Sequence, residues 1–232
     1  MNALIQTPQH RIVSQFPNIA FNVVALAASV GGVQAIRTVL SALPADFPAA
    51  ILVVVHLSPN YPSQLPEILS QRTALRVKPA ATGDVLRPGT VYVAVPARHL
   101  LVAPNGTLLL CDAPKMNFVR PAADKLFMSL AATYKSRTIA VVLTGNGSDG
   151  ALGVLSIKKH GGMAIAQDEA TSEFFNMPGA AIATGKVDVV LPLDAIASTL
   201  VRQVISEPPP PPPVHMYFST SKSFIIEEFL AI

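Results

Sequence analysis

Three polar residues each stand directly behind an apolar run of strand length: Ser29 after 23–27, His56 after 51–55, and Asp149 in the loop that follows 138–143. In open α/β sheets, ligands bind outside the carboxyl ends of the strands, so these are the positions where chemistry is expected first. Ser29 precedes Gly31-Gly32, which lets the backbone turn sharply into a helix and presents the hydroxyl near free N–H groups, where a developing negative charge is favoured. His56 is followed by Leu57-Ser58-Pro59-Asn60 and is available there as a general base. Asp149 lies in the glycine-rich stretch Leu143-Thr144-Gly145-Asn146-Gly147-Ser148-Asp149-Gly150, where a carboxylate beside His56 would orient the imidazole and stabilise its cation.

Taken singly, Ser29 and Asp149 read equally as helix N-caps, and His56 as a structural residue. Their convergence at three strand ends is what suggests acyl transfer by a Ser-His-Asp set, which is defined by geometry rather than by order along the chain. The same turns could cradle a phosphate. Against a nucleotide site, the chain has no G-x-G-x-x-G, no Walker lysine and no acidic residue about twenty positions further on. The five histidines, His10, His56, His99, His160 and His215, show no metal-ligand spacing, so no metal is expected.

The elements that must position these residues alternate between short apolar strands and amphipathic helices, the pattern of a doubly wound α/β fold with a mostly parallel sheet and helices on both faces. Strands are predicted at 23–27, 51–56, 76–79, 91–94, 107–111, 138–143, 164–167 and 187–191. Helices are predicted at 32–43, 63–72, 121–134, 151–160, 178–184 and 193–205. Between about 73 and 111, strand-like pieces follow one another through turns without helices, which reads as a β-hairpin insert. Residues 22–205 form one domain, preceded by an N-terminal extension, 1–21. A tail, 206–232, opens with six prolines at 208–213 and would make a stiff polyproline spacer of about 19 Å.

Composition narrows the classes further. Of 232 residues half are hydrophobic and 13% charged, which excludes disorder as the main state. A lone cysteine, Cys111, excludes a disulfide framework and agrees with a reducing, cytoplasmic location. The apolar runs fall far short of the roughly 20 residues that cross a bilayer, so no membrane insertion is expected. The run 21–30 leads straight into Gly31-Gly32 and a periodic segment, unlike a signal peptide. With a net charge of +3 and no basic cluster interleaved with aromatics, nucleic acid is not an expected partner.

Longer stretches resemble one family. Ala27-Ala28-Ser29-Val30-Gly31-Gly32-Val33-Gln34-Ala35-Ile36, Val54-Val55-His56-Leu57 and Val142-Leu143-Thr144-Gly145-Asn146-Gly147-Ser148-Asp149-Gly150-Ala151 are similar to the nucleophile turn, histidine strand end and aspartate loop of the chemotaxis protein-glutamate methylesterases. So are Gly83-Asp84-Val85-Leu86-Arg87-Pro88-Gly89-Thr90-Val91-Tyr92-Val93-Ala94, Arg120-Pro121 with Asp124 and Leu126-Phe127, Ala166-Gln167-Asp168-Glu169-Ala170, and Asn176-Met177-Pro178. The motifs run in order from about residue 23 to 204.

The resemblance implies a methylesterase-like catalytic domain at 22–205 that hydrolyses glutamyl methyl esters on the cytoplasmic helices of methyl-accepting chemotaxis receptors, and also deamidates receptor glutamines. It implies Ser29 as nucleophile, His56 as general base, Asp149 as its orienting partner, and backbone N–H groups of His56 and Asn146 as oxyanion donors. No cofactor is implied. Val30 stands where the family usually has Thr, Asn146 where it has Met, and Ala122 where it has Ser. Well-known members also carry an N-terminal receiver domain, for which 1–21 is too short, so a response regulator acting in trans is a further expected partner. The alternative expectation is a non-catalytic receptor-binding module of the same fold.

Overall fold

The computed structural model describes residues 21–56 and 63–205; residues 1–20 of the N-terminal extension, residues 57–62 and the tail lie outside the described residues. Nine strands and six α-helices occur among the latter: β1 (Asn22–Ala28), α1 (Gly32–Ser41), β2 (Ala49–Val55), α2 (Leu65–Ser70), β3 (Arg76–Pro79), β4 (Thr90–Val93), β5 (His99–Val102), β6 (Leu108–Cys111), α3 (Ala123–Tyr134), β7 (Thr138–Val142), α4 (Ala151–Lys159), β8 (Met163–Gln167), α5 (Asn176–Ala183), β9 (Val189–Leu191) and α6 (Leu193–Ile205).

Seven of the strands form one sheet in the order β3-β4-β2-β1-β7-β8-β9, and every pairing within it is parallel. β1, β2 and β7 are buried along their whole length, as central parallel strands covered on both faces must be, which explains why they read as continuous apolar runs rather than alternating ones. Alternate residues feed two separate cores. Val24, Leu26, Ile51, Val53 and Val141 pack with Ile36 and Leu40 of α1, Leu69 of α2 and Leu200 of α6. Ala25, Ala27, Leu52, Val54 and Val142 pack with Phe127 and Leu130 of α3, Val154 of α4 and Met177 of α5. The result is three layers, with α1, α2 and α6 on one face and α3, α4 and α5 on the other.

The doubly wound expectation agrees with this, with one correction: the hairpin insert is confined to β5 and β6, which pair antiparallel. β3 and β4 instead join the main sheet, parallel to each other and to β2. The connection between them contains turns at Gly83 and Gly89, both with positive φ, and those turns are what mimic a hairpin in the sequence. β5 is a strand that no pattern announced: its four residues are all buried and show no alternation.

The chain runs from β1 to β2 on one side and later reaches β7 on the other side of β1. The order therefore reverses at β1, and the crevice at its carboxyl end is the place where doubly wound sheets bind ligands.

Candidate active site

Around that crevice the backbone is tied together before any side chain acts. Ser29 directly follows β1, and its N–H donates to the Thr144 carbonyl at 3.0 Å, which ties the serine turn to the exit of β7. The Thr144 hydroxyl donates to the Val30 carbonyl at 3.1 Å. Gly31 has φ of +77°, a left-handed conformation that a side chain would strain; it starts α1 without a side-chain cap. Gly145 is needed for a different reason. A Cβ there would lie 2.7 Å from the Ser29 Cβ and would overlap the Met177 sulfur, so only glycine lets the loop after β7 close onto the serine.

His56 follows β2, the immediate neighbour of β1. Its Nε2 lies 2.8 Å from Asp149 Oδ2, with side-chain exposures of 14% and 3%. With Asp149 as acceptor, Nε2 carries the hydrogen, and the ring nitrogen left for a substrate-side proton is Nδ1. The His56 N–H donates to the Ala28 carbonyl at 3.3 Å, which places its main chain beside the residue before Ser29. This bond extends the β1–β2 ladder by one residue. The amide of Asn146, an exposed residue of the loop before α4, has no backbone acceptor among the described residues and keeps its candidacy.

The structure thus brings His56 and Asp149 into contact and fastens the Ser29 turn to the same loop. It also reveals residues that had no assigned role in the sequence. Asp149 accepts the N–H groups of Ala123 at 2.6 Å and Asp124 at 3.0 Å, the first two of α3. The N–H before them, that of Ala122, donates to His99 Nδ1 at 3.2 Å, and His99 Nε2 lies 3.0 Å from the Pro114 carbonyl. Asp124, fully buried, accepts the N–H groups of Gly150 at 2.9 Å and Gly153 at 2.7 Å at the start of α4. Burial, together with the neighbouring Asp149 charge, pushes the Asp124 carboxyl up to about 6, against the lowering effect of those N–H groups. Burial likewise holds His99 below its ordinary value. In the sequence Asp124 was marked only by its place in the family-like motif behind Arg120-Pro121, inside the helix predicted at 121–134; for His99 there was no signal.

No group of three His, Cys, Asp or Glu side chains among the described residues converges as metal ligands. No described helix is long and apolar enough to cross a membrane.

Fold and site together define a doubly wound α/β protein with a hydrolase-type histidine–carboxylate pair at the switch point of its sheet. Comparison with known proteins narrows this class. Residues 24–200 match the family model described as CheB methylesterase. The protein-glutamate methylesterase/protein-glutamine glutaminase of Pyrococcus abyssi is 44% identical over 184 residues, covering 78% of this chain and 50% of that protein. The protein-glutamate methylesterase FrzG of Myxococcus xanthus is 42% identical over 188 residues, covering 81% and 56%. The crystal structure of the Thermotoga maritima CheB methylesterase catalytic domain superposes with a TM-score of 0.78 at 39% identity, covering 80% of this chain and all of that one. The chain belongs to the CheB methylesterase family. It spans about half the length of the curated relatives it matches.

Proposed function

We propose that this chain is a serine hydrolase that removes methyl esters from glutamate side chains on the cytoplasmic helices of methyl-accepting chemotaxis receptors, in chemosensory adaptation. The observation that carries the reading is the His56–Asp149 hydrogen bond beside the Ser29 turn at the switch point. Relatives named protein-glutamate methylesterase, several also named protein-glutamine glutaminase, support the substrate.

In this reading Ser29 Oγ attacks the ester carbonyl while His56 Nδ1 takes its proton. Asp149, bonded to Nε2, stabilises the imidazolium that forms. The oxyanion is held by backbone N–H groups at the loop, that of Asn146 among them. The imidazolium then protonates the departing methoxide, methanol leaves, and water activated by the same nitrogen cleaves the glutamyl-serine ester. A glutamine side chain follows the same course with ammonia as leaving group. No step calls for a cofactor. Receptor helices are the proposed partner, and a response regulator acting in trans is proposed as the source of control. A binding-only module would not need a buried carboxylate aimed at a histidine, and that pair favours the hydrolase.

The test is methanol release from receptor-bearing membranes labelled on their methyl esters. Ser29→Ala should keep the fold and lower release by a factor on the order of 10⁴ to 10⁶. Wild-type release that the alanine variant matches would refute the assignment of Ser29, and a folded wild type that releases nothing would refute the esterase.

A further inference from the structure

Asp149 and Asp124 are held by a reciprocal arrangement. Asp149 stands just before α4 but caps α3, taking the Ala123 and Asp124 amides. Asp124 stands in the first turn of α3 but caps α4, taking the Gly150 and Gly153 amides on its Oδ1. Neither helix receives a side-chain cap from its own N-cap residue, which is Ala122 in α3 and Gly150 in α4. The remaining Asp124 oxygen accepts the Asn117 side-chain amide at 3.2 Å.

We propose that Asp124 is a positioning residue for the His56–Asp149 pair: by holding the Gly150 and Gly153 amides it fixes the backbone from which Asp149 reaches His56. The inference rests on the hydrolase reading above.

Two physical arguments support it. Asp149 is joined directly to Gly150, whose φ of +98° is left-handed and whose N–H is held by Asp124 Oδ1. Freeing the Gly150 amide therefore lets the backbone that carries Asp149 shift, and a misplacement of about 1 Å in such a constellation costs on the order of 10²-fold in rate. Charge gives the second argument. A buried carboxylate next to another is an unfavourable choice for a cap, since a neutral Asn or Ser would hold amides without like-charge repulsion, and such pairs concentrate at functional sites. The charged group facing Asp124 is Asp149, from the loop before α4; on the far side of Asp149 stands His56. Burial and that neighbour push Asp124 up to about 6. Once protonated, its O–H finds the Asp149 carboxylate as acceptor and competes there with His56 Nε2–H.

The experiment compares wild type, Asp124→Asn and Asp124→Ala by ester hydrolysis and by the low-field proton signal of the His56 imidazole. Asp124→Ala should lower kcat by about 10²-fold with KM changed by no more than about 2-fold, the mark of an interaction used in the transition state. Asp124→Asn, which keeps an oxygen for the two amides, should retain kcat to within about tenfold. The His56 signal should persist in the Asn variant and broaden or vanish in the Ala variant. A kcat in Asp124→Ala within about 2-fold of wild type, or an unchanged His56 signal, would show a cap with no bearing on the pair and overturn the proposal. Should Asp124→Ala not fold, loss of the His56 signal in Asp124→Asn, where the two amides keep their acceptor, would overturn it instead. If wild type hydrolyses nothing, the esterase reading fails separately, and the imidazole signal still decides whether Asp124 positions His56.

Discussion

Ala122, Ala123 and Asp124 present three consecutive amides at the start of α3, and three acceptor atoms take them: His99 Nδ1 and the two oxygens of Asp149. His99 can do this only while neutral, with its hydrogen on Nε2 toward the Pro114 carbonyl. Burial lowers its pKa below the ordinary 6.5. As pH falls past 6.5 the unfolded chain binds a proton there that the folded chain refuses, so stability from this group is present above 6.5 and is lost on acidification. Asp124 has the opposite sign, because its raised pKa lets the folded chain take up a proton, between about 6 and the ordinary 3.8, that the unfolded chain does not. His99→Asn keeps an acceptor for Ala122 without a titrating ring. Its melting temperature should fall less than that of wild type between about pH 7.5 and 5.5, and equal slopes would show that His99 does not set the acid limit. At this scale Ser29, His56 and Asp149 drew notice because each follows an apolar strand, and the structure brings His56 and Asp149 into contact. The sequence did not disclose Asp124 or His99 as structural partners, since their bonds cross 23 to 29 residues of chain and depend on how α3 lies against α4 and β5.

Among the elements, the turn before α3 carries visible strain. Met116 and Val119 exchange N–H···O bonds of 3.2 and 3.0 Å, and the two residues between them, Asn117 and Phe118, have φ of +49° and +66°. Both values are left-handed, as in a type I′ turn, which favours Asn-Gly. Asn117 suits its position and donates to Asp124; Phe118 does not suit its own, and its ring is 94% exposed. Phe118→Gly should therefore stabilise the chain by about 1 kcal/mol, a rise of about 2–4 °C in Tm for a domain of this size. A fall in Tm would mean that the ring packs on something the exposed turn does not reveal. The helices and central strands were legible from period and apolar runs, and α6 agrees with its predicted bounds, 193–205. β3 and β4 were misjudged because a parallel pair joined without a helix carries the turn residues of a hairpin. β5 escaped notice because four buried residues are too few to show a period.

At the scale of the molecule, every part of the site belongs to the stretch that builds the sheet. Ser29 follows β1, His56 follows β2, Asp149 precedes α4, and Asp124 lies in α3, so both cores must be complete for the pair to be set. The first core element in the chain is β1 and the last is α6, whose Ile196, Leu200 and Val204 are buried against the face that also holds α1. Ile205, at the end of α6, is 67% exposed. The Thermotoga maritima catalytic domain, matched over its whole length, covers 80% of this chain, which indicates that this unit suffices for a fold. A fragment of residues 21–205 should accordingly melt within about 2–4 °C of the full chain, a difference of about 1 kcal/mol at most, and hydrolyse a small methyl ester with unchanged kcat and the same loss on Ser29→Ala. If the fragment keeps its kcat but acts more slowly on receptor-bearing membranes, residues outside it contribute to recognition and not to chemistry. A matching loss of Tm and of small-ester turnover would instead place some of those residues against the body, as part of what holds α1, α6 and the strand ends in register.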